Sequence, residues 1–347
     1  MSSPKVPGAD PPAHPWGESG PELTLRSDVL AEDREPIVEL LSRCDPGLLG
    51  TGQVEVACLP GGANNRNYTA TGGDGKLAVR IANNFSERFA VDRASAIQAQ
   101  RDAAAADLAP AVMAARLPEG HTVSAFLEGE TLWDESIRQE DALRGVARAI
   151  RELHATPSSC REYSPFDEVR VWTEWARRDE TEMPEDFEAM IEICDRIERL
   201  VGELRLPLAF CHNDTVPQNF IRAPDDTVRM VDWDFAGRGW ASFEVASFIA
   251  IAQLDDRQRE IFLDVYGSDA TEAQRATLEL LGFVGEVREV TWAQMAAPVL
   301  PGTTTPLDGW SYESYRDTYL TGARKRLAQP GFDSLFAAAR SELDRPW

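Results

Sequence analysis

The sequence predicts an α+β chain in two lobes: a small lobe built on an antiparallel sheet, then a larger, mostly helical lobe that contains one β-rich island. Three observations carry this reading. Strand-like runs with tight turns between them crowd into residues 54–127 and then stop. Beyond Thr131, apolar residues recur at helical spacing almost to the end of the chain. Residues 208–232 break that helical pattern with short apolar runs separated by turn residues. With 347 residues and roughly 150 residues per domain, two lobes are also what the length suggests. The divisions fall at 1–22 (a disordered leader rich in Pro, Gly, Ser and Ala), 23–130 (the first lobe) and 131–347 (the second).

Each element has its own signal. A helix is expected around Glu32–Ser42. Val54–Leu59 reads as a strand, Pro60–Asn67 as a turn, Tyr68–Thr71 as a second strand, Gly72–Gly75 as a tight hairpin and Leu77–Ile81 as a third strand. Asp92–Asp107 is an alanine-rich helix halted near Pro110, and Thr122–Leu127 is a further strand. In Glu140–His154, Leu143, Val146, Ala147, Ile150 and Leu153 line one face of an amphipathic helix. Val169–Arg178 and Asp186–Leu204 read the same way. The island offers strands at Leu208–Cys211, Asn219–Arg222 and Val228–Asp232, and helices resume from Phe243.

Composition narrows the function. There are 58 acidic against 35 Lys and Arg residues, a formal charge of −23. Such a surface repels phosphate backbones and anionic lipid, which argues against nucleic-acid and membrane partners; the same acidity also simply favours solubility. No run approaches the roughly 18 apolar residues of a membrane span, and the first residues lack the apolar core of a secretory signal. The five cysteines are scattered without metal-binding or redox spacing. A reduced, cytoplasmic protein is expected.

The β island holds the densest polar signal. It reads Phe210-Cys-His-Asn-Asp-Thr-Val-Pro-Gln-Asn-Phe-Ile, then Met230-Val-Asp-Trp-Asp-Phe-Ala-Gly. His212, Asp214, Asn219 and Asp232 fall in loops at strand ends, where scaffolds present functional groups. Asp and Asn are also ordinary turn residues, so no single one of them decides anything. Their joint order does: His-x-Asp, an Asn five residues after the Asp, an apolar strand and a second Asp is the spacing of a kinase catalytic loop with its metal-binding carboxylate. Phosphoryl transfer requires positioning and charge neutralisation more than covalent chemistry. Asp214 suits the base that orients a hydroxyl and takes its proton, and His212 completes the catalytic loop by holding it with hydrogen bonds. Asn219 and Asp232 offer the hard oxygen atoms that Mg²⁺ prefers.

With these residues the chain resembles the choline kinase and aminoglycoside phosphotransferase family, small-molecule kinases with a bilobal protein-kinase-like fold. The resemblance covers about residues 50 to 330 and is strongest to the bacterial choline/ethanolamine kinase branch. It rests on His212-Asn-Asp214, Pro217-x-Asn219 and Val231–Gly237, supported by Ala147–His154, Trp292 and Tyr312–Tyr315. It implies ATP and Mg²⁺ as cofactors. The loop carrying Gly61, Gly62, Asn65 and Asn67 would fold over the phosphates, with Arg80 touching them, and the backbone of Ala125 and Phe126 would meet the adenine. It also implies that Asp234, Glu244, Trp292 and Tyr315 line the acceptor site, with Asp234 orienting the acceptor or adding a metal ligand.

Three positions depart from the family pattern: Ala96 stands where its helix carries a Glu, Phe235 where a Tyr is common, and Glu289 where a Trp is expected. The expected function is ATP- and Mg²⁺-dependent transfer of the γ-phosphate to a hydroxyl of a small, amine-bearing acceptor, an amino alcohol or an antibiotic. Two other readings stay open. One is a non-catalytic nucleotide-binding pseudokinase or sensing module. The other is a helical interaction protein with fortuitous loop spacing. Oligomeric state is not encoded in these patterns.

Overall fold

The computed structural model describes residues 15–17, 20–133, 135–267, 270–300 and 310–341. Most of the leader expected over residues 1–22 therefore lies outside the described residues. Within it, Trp16 is docked: its indole N–H donates to the carbonyls of Leu41 and Cys44. The chain forms two compact units, one from the segments ending at Asn84 and spanning Val112–Phe126, the other from Phe85–Ala111 and Leu127 onward.

The first unit is a six-stranded sheet against one helix. In chain order it comprises β1 (Glu22–Leu25), α1 (Ala31–Ser42), β2 (Gln53–Cys58), β3 (Arg66–Thr71) and β4 (Lys76–Ile81); β5 (Val112–Arg116) and β6 (His121–Ala125) follow after an excursion into the second unit. The strands lie in the order β1-β2-β3-β4-β6-β5. Alternation explains β4: Leu77, Val79 and Ile81 are buried and the residues between them are half-exposed. These side chains join Ile37, Leu40 and Leu41 of α1 in one core.

All pairings are antiparallel except β1 on β2, a parallel edge strand that the sequence pattern does not announce. With four residues it is too short to show a period. The β3–β4 turn confirms its glycines by steric need, since a Cβ at Gly72 or Gly75 would sit 2.0 Å from a carbonyl oxygen of Leu49 or Leu48. Asp33 on α1, 1 % exposed, accepts both Arg66 Nε and Nη2 and the Tyr68 hydroxyl, which pins the start of β3 to the helix.

The second unit begins with α2 (Arg93–Ala105), which sequence order assigns to the first lobe. Its partners decide otherwise. Ser95 Oγ accepts the Arg161 N–H, Ser158 Oγ donates to Asp102, and Arg93 makes a buried ion pair with Asp234 at 2.8 Å. After β7 (Glu130–Thr131) come α3 (Glu140–Ala155), α4 (Pro165–Arg178) and α5 (Phe187–Leu204). The α4 helix starts four residues earlier than its apolar spacing suggests, because Pro165 sits in the first turn behind a Ser164 cap.

The island forms two small antiparallel sheets. One pairs β8 (Leu208–Cys211) with β11 (Gly237–Trp240); the other orders β10 (Val228–Met230), β9 (Phe220–Arg222) and β7. Then follow α6 (Ala241–Ile251), α7 (Asp256–Tyr266), α8 (Glu272–Ala296), α9 (Tyr312–Leu327) and α10 (Ser334–Arg340). The centre of this unit is α8, buried on all sides over most of its 25 residues, with α4, α6, α9 and α10 packed on it. None of the described helices is long and apolar enough to cross a membrane.

Candidate active site

The site grows from the ends of β8 and β10. Past Cys211 the chain enters a loop whose first residue, His212, is fully buried. Its Nε2–H donates to the Val231 carbonyl at 2.9 Å, and its Nδ1 accepts the Asp214 N–H at 3.3 Å. That pair of bonds specifies one neutral tautomer, and burial pushes the imidazole pKa down. A second stitch, from the Val231 N–H to the Asn219 carbonyl, joins the same two loops. His212 is therefore a positioning residue for both of them.

Asn213 and Asp232 adopt left-handed backbone, with φ of 63° and 61°. This region is tolerated best by Gly, Asn and Asp. The Asn213 amide spans to the Phe235 carbonyl at 3.1 Å. The Asn219 Nδ2 donates to the Asp214 carbonyl at 2.9 Å, so its Oδ1 is the atom it offers as a ligand. Together Asn219 and Asp232 supply an amide and a carboxylate oxygen, a donor set that fits Mg²⁺. The Asp214 carboxyl, half-buried, is pushed well above the usual carboxylate range by desolvation, with Arg288 opposing and Glu289 and Asp232 adding to the rise.

Two residues expected to meet an acceptor are otherwise engaged. Glu244, on α6, is fully buried; one oxygen accepts the Asn213 N–H at 2.7 Å and the other meets His154 Nε2 at 2.7 Å, whose Nδ1 reaches the Tyr266 hydroxyl. Glu244 anchors the catalytic loop from behind. Its cluster with His154 and Cys211 has metal-ligand types, but both carboxylate oxygens are already used, and burial and the Glu244 charge hold the Cys211 thiol protonated. Asp234, 3 % exposed, is committed to Arg93.

Trp292 and Tyr315 are brought together as expected, ring edge to ring face at 5.2 Å. They stand in an aromatic cluster with Trp310 and Tyr312. The Tyr315 hydroxyl donates to Glu289 at 2.7 Å.

The residues expected to meet a nucleotide lie in the first unit. Gly61 and Gly62 form the β2–β3 connection with φ of 105° and 92°, values that exclude most side chains. Asn67 Nδ2 reaches the Gly61 carbonyl at 3.4 Å, and Asn65 Oδ1 accepts the Asn83 N–H, so both asparagines shape this loop. Arg80 pairs with Asn67 across β3 and β4. Ala125 ends β6 opposite Leu77. The Phe126 N–H is given to the Lys76 carbonyl and its ring lies 3.6 Å from the Lys76 ammonium.

Residues 55–279 match the phosphotransferase enzyme family (APH). The chain belongs to that family. The chain resembles the choline/ethanolamine kinase family protein of Mesorhizobium loti, with 19 % identity, a TM-score of 0.69 and coverage of 88 % of this chain and 95 % of the other. It also resembles a LicA structure in complex with AMP, at 18 % identity, a TM-score of 0.62 and coverage of 78 % and 93 %. These likenesses establish the fold: a sheet-based unit followed by a helical one. The protein LicA of Haemophilus influenzae is 23 % identical over 231 residues, covering 63 % of this chain and 65 % of that protein. The chain spans about three-fifths of the length of the curated LicA proteins that it matches.

Sequence reasoning missed several buried charged residues of the candidate site. Arg288 is 2 % exposed; its Nε donates to Glu168 at 2.7 Å and its Nη1 to Glu289 at 2.6 Å. Tyr163 donates to the same Glu168 oxygen. Desolvation raises the Glu168 carboxyl, with Arg288 opposing. The available signal was the pair Arg288-Glu289 within the run Leu280–Met295 of mostly apolar residues, where charges occur only when paired.

Proposed function

We propose that the chain transfers the γ-phosphoryl group of ATP, with Mg²⁺, to a hydroxyl of a small molecule. The observation that carries this reading is the catalytic loop. Its single carboxylate, Asp214, is fixed by bonds to its own backbone from both sides, His212 at the N–H and Asn219 at the carbonyl. Pre-positioning of this kind converts approach of the hydroxyl into a local event, worth several kcal/mol of the barrier. The raised Asp214 pKa makes that carboxylate a better proton acceptor.

In this scheme Asp214 orients the acceptor hydroxyl and receives its proton. Asn219 Oδ1 and Asp232 hold Mg²⁺, which when bound neutralises charge on the phosphoryl group. Glu244 keeps the loop backbone in register. Arg80 and the loop at Gly61 and Gly62 bind phosphate oxygens, and the AMP of the LicA complex supports an adenine nucleotide. The test is mass-spectrometric detection of acceptors gaining one phosphoryl group in the presence of Mg²⁺-ATP. Asp214→Asn is expected to abolish the product and leave nucleotide binding intact; turnover at the wild-type rate would overturn the reading.

A further inference from the structure

The space beside Asp214 already contains a cation. Arg288 reaches in from α8 with its guanidinium carbon 5.0 Å from the ring centres of both Trp172 and Phe235, which are themselves buried. Two aromatic faces at this distance form a clamp suited to an organic cation, and here the chain fills it. The Phe235 carbonyl is tied to Asn213, the neighbour of Asp214, so the clamp adjoins the catalytic loop. Removing Arg288 from it would leave Glu168 and Glu289 as buried, uncompensated charges. A cationic acceptor that took this clamp would have to do that. An anionic one would add to Asp214, Glu168 and Glu289.

The same cluster shows what does fit. Arg288 and Glu168 form only half of a two-bond fork: Nε meets Oε2, while Arg288 Nη2 and Glu168 Oε1 are buried without a hydrogen-bond partner. One open position donates and the other accepts. A hydroxyl, which both accepts and donates, satisfies the two together; an ammonium group or a carboxylate satisfies one at most.

We propose that Arg288 occupies the cation position of this site and that the acceptor is a neutral polyhydroxylated molecule, a sugar or polyol, one hydroxyl of which bridges Arg288 Nη2 and Glu168 Oε1. The inference rests on the kinase reading above. A second hydroxyl gives its proton to Asp214 as its oxygen bonds to the γ-phosphorus; the bond from that phosphorus to the β–γ bridging oxygen breaks, and ADP leaves.

The experiment offers Mg²⁺-ATP with choline, ethanolamine, lactate, and a panel of neutral sugars and polyols to the full chain, and titrates tetramethylammonium separately. The expected result is transfer to a neutral member, none to choline or ethanolamine, and no tetramethylammonium binding. Arg288→Lys, which keeps the charge and loses the fork, should raise KM for that acceptor about tenfold or more, a larger effect than on kcat. The double variant Arg288→Ala/Glu168→Gln removes the guanidinium from between the rings together with the charge it balances and should gain tetramethylammonium binding. Choline turnover or tetramethylammonium binding by the wild type overturns the proposal. So does a folded double variant that still refuses tetramethylammonium, or silence of the neutral panel while ATP binds. Absence of ATP binding would instead be a failure of the kinase reading.

Discussion

Asp232 and Glu244 are both carboxylates near the His212–Asp214 loop, yet their surroundings differ. Asp232 sits half-exposed at a loop turn; Asp232→Ala is expected to weaken binding of Mg²⁺-nucleotide about tenfold or more in a calorimetric titration, with the melting temperature little changed. Glu244 holds the Asn213 N–H and His154 in a fully buried position. Glu244→Ala should cost about 3–5 kcal/mol in a denaturant titration, whereas KM for the acceptor should stay as it was in whatever fraction remains folded. The role proposed for Asp232 was already an expectation of the sequence, because Asp214, Asn219 and Asp232 lie within one short island and their spacing is the signal. That of Glu244 was not. Glu244 works on a residue 31 positions away and Asp234 on one 141 positions away, and neither distance leaves a trace in local pattern.

At the scale of the element, α8 combines functions that its apolar composition hides. Arg288 pairs with Glu168 and Glu289, while Glu286, two residues before Arg288 and so turned away from it, faces Arg326 of α9 at 2.9 Å. Burial pushes the Glu286 carboxyl up to about 7 from its ordinary 4.5, against the pull of Arg326. The folded chain thus keeps a proton that the unfolded chain releases between those two values. Stability contributed by this group is present below pH 4.5 and falls as pH rises toward about 7, by about 3 kcal/mol at most. Glu286→Gln should flatten that part of the profile, so the gap in melting temperature between variant and wild type should shift in favour of the variant from pH 5 to pH 8. An unchanged gap would place the titration elsewhere. The sequence offered only that helices resume from Phe243; the 25-residue length of this one, and the reason charges interrupt it, depended on partners from α4 and α9.

Over the whole molecule the excess of acid dominates. Surface pairs such as Arg170–Glu198 contribute about 0–1 kcal/mol each, while a net charge of −23 repels itself across the surface. Raising ionic strength from about 0.01 to about 0.15 M shortens the screening length from about 30 to about 8 Å, and the melting temperature should rise; a fall would mean that the pairs outweigh the repulsion. Where strands stop led to an expected boundary near residue 130. The allegiance of α2 was not legible, because adjacency in sequence favours the first unit and only Arg161, Ser158 and Asp234 decide for the second. That allegiance has a consequence during synthesis. The ribosome releases α2 well before the residues that hold it, and Arg93 waits 141 residues for Asp234, on the order of ten seconds at ordinary elongation rates. The sheet of the first unit has all its strands once Ala125 has emerged, so birth order and docking order differ for this one helix. Its alanine-rich sequence, a strong helix former with little greasy surface to shield in the meantime, suits the delay.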